Sequence, residues 1–226
     1  MSDQPETLTI SVADDVKTKD VPPGGTSNNL PEYFQQAIKR CVPAHNVKSR
    51  WVTEADIPFM VEEAEILLTL CKLYRGHRYA QGAMTCSHTQ INGKNPLRFF
   101  VINNGVIIIN PLIINHTKVP TFQSEDCMAY PDKSPLGLVP RYNKIIVTFQ
   151  TLIDPNKDGK LILSKPITEE MNGKTAQAFQ HEISHLNGFN IYDEIYQCNN
   201  SIGFGDGLPV DPLIWNQIEE SEIIEK

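Results

Sequence analysis

The stretch Gln180-His-Glu-Ile-Ser-His-Leu-Asn-Gly188 holds two histidines four positions apart, with a glutamate directly after the first. In a helix that spacing puts both imidazoles on one face, one turn apart, where they can share a metal ion. Glu182 can then reach a water on that ion and act as general base. The surroundings predict the helix. From about Lys174 to Leu186, Ala176, Phe179, Ile183 and Leu186 would line an inner face, and Gly188 is well placed to end it.

A catalytic ion also needs a third protein ligand and an open coordination position. In the longer H-E-x-x-H-x-x-G-x-x-H pattern the third histidine would fall at Ile191, which cannot ligate. Glu194 lies only nine residues after His185, an awkwardly short return for a carboxylate from a second helix. A soft ligand from upstream fits better. Cys127, in Ser124-Glu-Asp-Cys-Met-Ala-Tyr-Pro131, follows a strand region and stands out, although a lone cysteine is more often a small buried hydrophobe.

Further outward, Asp56 to Tyr74 places Phe59, Val61, Ala64, Leu67, Leu68, Cys71 and Tyr74 at mostly helical spacing, which predicts an amphipathic core helix. Arg98–Ile102, Val106–Ile109 and Leu112–Ile114 are β-branched-rich runs, interrupted by Asn103-Asn-Gly105 and Asn110-Pro111, and read as strands. Lys144–Phe149 and Leu161–Leu163 read as a further pair joined across Asp154-Pro-Asn-Lys-Asp-Gly159. That connection matches half of a calcium loop, but Lys165 stands where a bidentate glutamate is needed, so it reads as a hairpin turn. Gly203-Phe-Gly-Asp-Gly207 lacks the context of a nucleotide fingerprint, and His45, His77 and His116 show no partners.

The ends differ from the middle. Residues 1 to about 30 are polar, end in Pro22-Pro-Gly-Gly25 and read as a tail or arm; a short helix with Tyr33, Phe34, Ile38 and Cys41 follows. Residues 201–226 form an extension in which Asp211 and Pro212 open a short acidic helix. The expected domain spans 31–200.

The chain has 226 residues, 40% of them hydrophobic, 20 basic against 27 acidic, and a net charge of −7. That suffices for a buried core and argues against a broad nucleic-acid or membrane-surface footprint. Its five cysteines are scattered without a C-x-x-C pair, which points to a reducing compartment, and no targeting segment is visible. We expect a cytoplasmic protein with neither direct nucleic-acid nor membrane binding.

Glu125-Asp-Cys-Met-Ala129 followed by Pro131 resembles the E-G-C-L-S segment of peptide deformylases, and Gln180–Gly188 resembles their Q-H-E-x-D-H-L-x-G helix. Leu138-Val-Pro-Arg141 and the strands between keep the family's order. Ile109-Asn-Pro-Leu-Ile113 resembles its N-P strand end, and Ala83-Met-Thr-Cys-Ser-His-Thr-Gln90 stands in place of its G-x-G-hydrophobic-A-A-x-Q motif. The resemblance runs from about Thr53 to Tyr196.

It implies that Cys127, His181 and His185 ligate one divalent ion, typically Fe(II), with zinc, nickel or cobalt able to replace it. Glu182 would shuttle the proton, Gln90 and the backbone N–H of Met128 would stabilise the oxyanion, and Arg141 would stand beside the peptide cleft. Glu125 would support a ligand or the substrate. The implied substrates are formyl-methionyl peptides, including nascent chains at the ribosome, with formate released. Several residues depart from the pattern. Ala83 and Thr85 replace glycines, Ser87 and His88 replace alanines, Asp126 replaces a glycine, and Ser184 replaces an acid. Side chains at the first motif would reshape the methionine pocket, or leave Cys86 and His88 as ordinary core.

The expected fold is α+β, with mixed or antiparallel strands around a central metal-bearing helix. Two other readings use the same residues: a related amide hydrolase of altered specificity, and a catalytically silent, metal-stabilised binding protein. An ordinary metallopeptidase is disfavoured by Ile191.

Overall fold

The computed structural model describes residues 47–74, 85–125, 127, 137–157 and 159–194. The sequence-predicted tail, the helix around Tyr33–Cys41, the acidic C-terminal helix and Met128 lie outside them. A 3-10 turn at Glu54–Asp56 leads into helix α1, Ile57–Tyr74. Asp56 seats this entry by accepting from the Thr53 backbone N–H and hydroxyl and from Arg50.

The chain then forms β1 (Thr85–Ser87), a 3-10 turn at His88–Gln90, β2 (Phe99–Ile102) and β3 (Ile107–His116). Next come β4 (Pro120–Glu125), β5 (Gly137–Tyr142), β6 (Lys144–Gln150), β7 (Leu152–Ile153), β8 (Ile162–Leu163) and β9 (Ile167–Asn172). Helix α2, Gly173–Leu186, and the short α3, Ile191–Glu194, complete the described residues. The main sheet is antiparallel in the order β1-β2-β3-β6-β9, with β4-β5 and β7-β8 as separate two-stranded pairs.

Both faces of the main sheet are covered, which explains its long apolar runs. Because side chains alternate across a strand, Phe99, Val101, Ile107 and Ile109 join a core under α1, with Met60, Leu67 and Leu70. Their neighbours Phe100 and Ile108 join a second core with Ile145, Val147 and the α2 residues Ala176, Phe179, Ile183 and Leu186. Phe100 meets Phe179 edge to face, ring centres 5.1 Å apart. Each such buried aromatic contributes about 1.5–3 kcal/mol. The inner face assigned to α2 from spacing alone is therefore the observed one.

Two sequence expectations need correction. Asn110-Pro111 does not divide two strands: β3 runs through it, with a register shift between Ile109 and Leu112. Asn110 takes a left-handed conformation, φ 53°, and its amide holds Val52 through both backbone groups at 2.8 and 3.0 Å. Asparagine tolerates that conformation better than most residues, so the bulge persists inside a strand. Secondly, Leu161–Leu163 does not pair with Lys144–Phe149. The hairpin across Asp154–Gly159 joins β7 to β8, while β6 lies between β3 and β9. The Asp154 carboxylate accepts from the Gly159 N–H at 2.7 Å, closing that turn on itself.

Candidate metal centre

The end of α2 has a direct bearing on the site. Gly188 takes φ 91°, so its N–H bonds to the His185 carbonyl and the Phe189 N–H to the Ser184 carbonyl. This is a Schellman motif, which needs a residue at ease with positive φ. The reversal also swings the Phe189 carbonyl back onto His185 Nδ1, 3.0 Å away. At the other ligand, His181 Nδ1 lies 2.9 Å from Glu125 Oε2. A carbonyl and a carboxylate can only accept, so both rings carry their Nδ1 proton and turn Nε2 inward.

The two Nε2 atoms lie 3.1 Å apart, and Cys127 Sγ is 3.3 Å from that of His185. One donor atom from each of the three residues lies within 4.8 Å of the others. Two neutral rings so arranged would face lone pair to lone pair beside a sulfur, so a positive charge must stand between them. Burial opposes protonation of His181, but hydrogen bonds to Cys127 and Glu125 outweigh it and raise its proton affinity well above normal. His185, pushed down to about 3 by burial and the His181 charge, stays neutral. A thiolate and two imidazoles suit a divalent transition ion, so the residues fit the group.

Glu182, the residue after His181, is 2% exposed. Its Oε1 accepts from the Thr85 hydroxyl at 2.7 Å, whereas Oε2 is buried with no hydrogen-bond partner among the described residues. Burial raises the carboxyl's proton affinity; the His181 charge and the Thr85 hydroxyl oppose it in part. Gln90 comes from the 3-10 turn after β1. Its Oε1 accepts from the Ser87 N–H at 2.9 Å, and its Nε2 is thereby aimed at Cys127 Sγ, 3.9 Å away. The structure thus brings Gln90, Cys127, His181, Glu182 and His185 together.

Arg141 is 3% exposed and is paired with Glu125, the carboxylate that meets His181. Its guanidinium donates to both oxygens of Glu125 and both of Glu194, at 2.8–2.9 Å. Burial disfavours the ionised form of Glu125, but the Arg141 charge and His181 outweigh it and hold the carboxyl well below its usual range. Glu194 is not one of the converging donors. Its carboxylate also accepts from Ser184, so an acid from α3 occupies the surroundings of a position where an acid on α2 was expected.

Three features escaped the sequence reading. In sequence Thr85 stands out only by its bulk, and Glu194 only as a possible ligand. Gln180, whose side chain exchanges 2.8 Å hydrogen bonds with both backbone groups of Tyr142, clamps α2 to β5. Its place at the head of the motif was the available signal. His88 is a satisfied core residue: it accepts from the Leu97 N–H at 2.8 Å and its other nitrogen faces Glu63 at 3.1 Å. His116 stacks on Tyr142, ring centres 3.7 Å apart.

Comparison with known proteins bears on this arrangement. The polypeptide deformylase family model matches residues 83–201. Peptide deformylase 2 of Bacillus cereus is 32% identical over 106 residues, 46% of this chain and 52% of that protein. Peptide deformylase 2 of Bacillus subtilis is 37% identical over 94 residues, 41% and 45% respectively. The chain thus spans about half the length of these curated relatives. Among solved structures, peptide deformylase from Thermotoga maritima superposes with a TM-score of 0.51 at 25% identity, covering 68% of this chain and 91% of that one. The class I type b enzyme from Acinetobacter baumannii bound to Met-Ala-Ser gives 0.53 at 18% identity, covering 69% and 96%, a likeness of fold alone.

Proposed function

The chain belongs to the polypeptide deformylase family, and from that premise we propose that it hydrolyses the formyl group from the N-terminus of formyl-methionyl peptides or nascent proteins. The observation that carries this reading is the convergence of two inward Nε2 atoms and a thiol on one point, on the helix that also carries Glu182 with its buried, unpartnered Oε2. Cys127, His181 and His185 hold one divalent ion, for which we favour Fe(II), with zinc, nickel or cobalt as substitutes. When bound, the ion supplies Lewis acidity that makes water a nucleophile near neutral pH and polarises a carbonyl.

The chain's own residues do the rest. Glu182 Oε2 takes a proton from the attacking water as the new C–O bond forms at the formyl carbon. The raised proton affinity of this buried carboxyl makes it a better base than an exposed glutamate. The same oxygen passes the proton to the departing amine as the C–N bond breaks, leaving formate and a free N-terminus. Gln90 Nε2, held by its partner oxygen on Ser87, donates to the oxyanion together with the backbone N–H of Met128. Arg141 and Glu125 act from behind: the ion pair fixes the carboxylate that orients His181.

We place this activity in the cytoplasm, on chains emerging from the ribosome. Cys71 and Cys127 are free thiols, which suits a thiolate ligand in a reducing compartment. No helix among the described residues is long and apolar enough to cross a membrane.

The test is anaerobic purification with metal analysis, then formate release from a formyl-Met peptide by wild type and Glu182→Gln. We expect one divalent ion per chain in both proteins. Activity should fall by a factor of about 100 or more in the variant. Bound metal without formate release at any substrate concentration would overturn the reading.

A further inference from the structure

We infer that Thr85 is a positioning residue for the general base, its hydroxyl fixing one oxygen of Glu182 so that the other is left for the reacting water. The inference rests on the reaction proposed above. Thr85 lies 97 residues from Glu182 in sequence, yet its Oγ1 donates to Oε1 at 2.7 Å. It stands on β1, held against β2 with Thr85 opposite Ile102, so the donor belongs to the sheet and not to the helix that carries Glu182. A branched side chain is stiff about its first torsion, which gives the hydroxyl a definite aim.

The last torsion of a glutamate is broad and roughly two-fold, so a free carboxylate presents either oxygen. A hydrogen bond to Oε1 removes that freedom. It also explains why Oε1 is satisfied while the equally buried Oε2 has no partner among the described residues. Ser87 Oγ pairs with Thr89 at 2.9 Å, and although it favours the ionised form of Glu182 it does so less than Thr85. The peptide-deformylase pattern quoted for this motif has a glycine at the position of Thr85, and a glycine has no hydroxyl to offer. A departure that reads as a change of pocket shape thus becomes a change in how the base is held.

Thr85→Val removes the hydroxyl at nearly constant volume, and Thr85→Ser keeps it. We expect Thr85→Val to lower kcat roughly tenfold, with KM and bound metal little changed, and Thr85→Ser to restore most of the rate. In the metal-free proteins, the carboxylate infrared band of Glu182, identified by subtracting the Glu182→Gln spectrum, should shift in Thr85→Val and stay in place in Thr85→Ser. Thr85→Ala serves the same comparison if valine is not accommodated. Wild-type kcat in Thr85→Val, or a serine variant as slow as valine, would overturn the inference. A wild type that releases no formate would bring down the proposed reaction instead, and the infrared band would then decide the contact by itself.

Discussion

Glu194 sets both carboxylate oxygens on the guanidinium of Arg141, at 2.9 Å from Nη1 and 2.9 Å from Nη2, in a site where each side chain is 3% exposed. Arg141 is thereby shared between two acids, and burial, which disfavours its charge, is outweighed by both. Removing one partner of a buried pair typically costs about 3–5 kcal/mol, and less here, because Glu125 still holds the guanidinium. Glu194→Ala should therefore lower the thermal midpoint clearly, whereas Ser184→Ala, which removes only a hydroxyl donor to the same acid, should cost about 1 kcal/mol. Thermal unfolding of the two variants side by side decides it; equal losses would contradict the ranking.

Glu125 meets His181 directly, so its effect should be read in metal affinity. Glu125→Gln keeps the shape, weakens the acceptor behind Nδ1 and leaves Arg141 with Glu194 alone. Loss of such an oriented partner typically weakens binding about 10- to 100-fold. Competition against a chelator of known affinity measures it, and unchanged affinity would show that the carboxylate does not orient the ligand.

Asn110 combines two contributions that can be separated. In Asn110→Gly the left-handed backbone is kept and the amide bonds to Val52 are lost; in Asn110→Ala both suffer. A left-handed alanine costs about 1–2 kcal/mol beyond glycine. Urea midpoints should therefore rank wild type above Gly, and Gly above Ala. If Ala exceeds Gly, the bulge is not strained at this residue.

Asp56 offers a pH signature. The Arg50 hydrogen bonds, helped by Thr53 and opposed by burial, lower its proton affinity. A carboxyl depressed in the folded state contributes stability that is complete above its unfolded value of about 3.9 and is lost as pH falls below it. Asp56→Asn should cost about 1 kcal/mol at neutral pH, in the range of a helix cap. The gap to wild type should shrink as pH falls below about 4. A gap constant from pH 7 to 3 would mean that the charge is not what matters.

These cases show what the sequence makes legible. Helix α2 was readable because its evidence is local: a 3.6-residue apolar stripe, a glycine stop and paired histidines one turn apart. Cys127 was reachable because metal chemistry demands a third donor and few soft ligands exist. Strand β9 was not, since Ile167–Asn172 exposes most of its side chains and owes its place to pairing with β6. The roles of Glu194 and Thr85 depend on which surface of α2 each meets, a long-range fact without periodicity. Asn110-Pro111 misled for a definite reason: its residues are turn formers, and the left-handed kink they make is real, but the flanking hydrogen bonds bridge it.

The helix stop at Gly188 carries a consequence of another kind. Because the Phe189 carbonyl holds the His185 ring, the stereochemistry of a turn and the aim of a candidate metal ligand are one event. Thermodynamic linkage makes that coupling run both ways. An ion that fixes the ring must also lock the last turn of the helix, slowing deuterium uptake at the amides of Gly188 and Phe189. The terminus of α2 would then report, from outside the reaction, whether the centre is loaded.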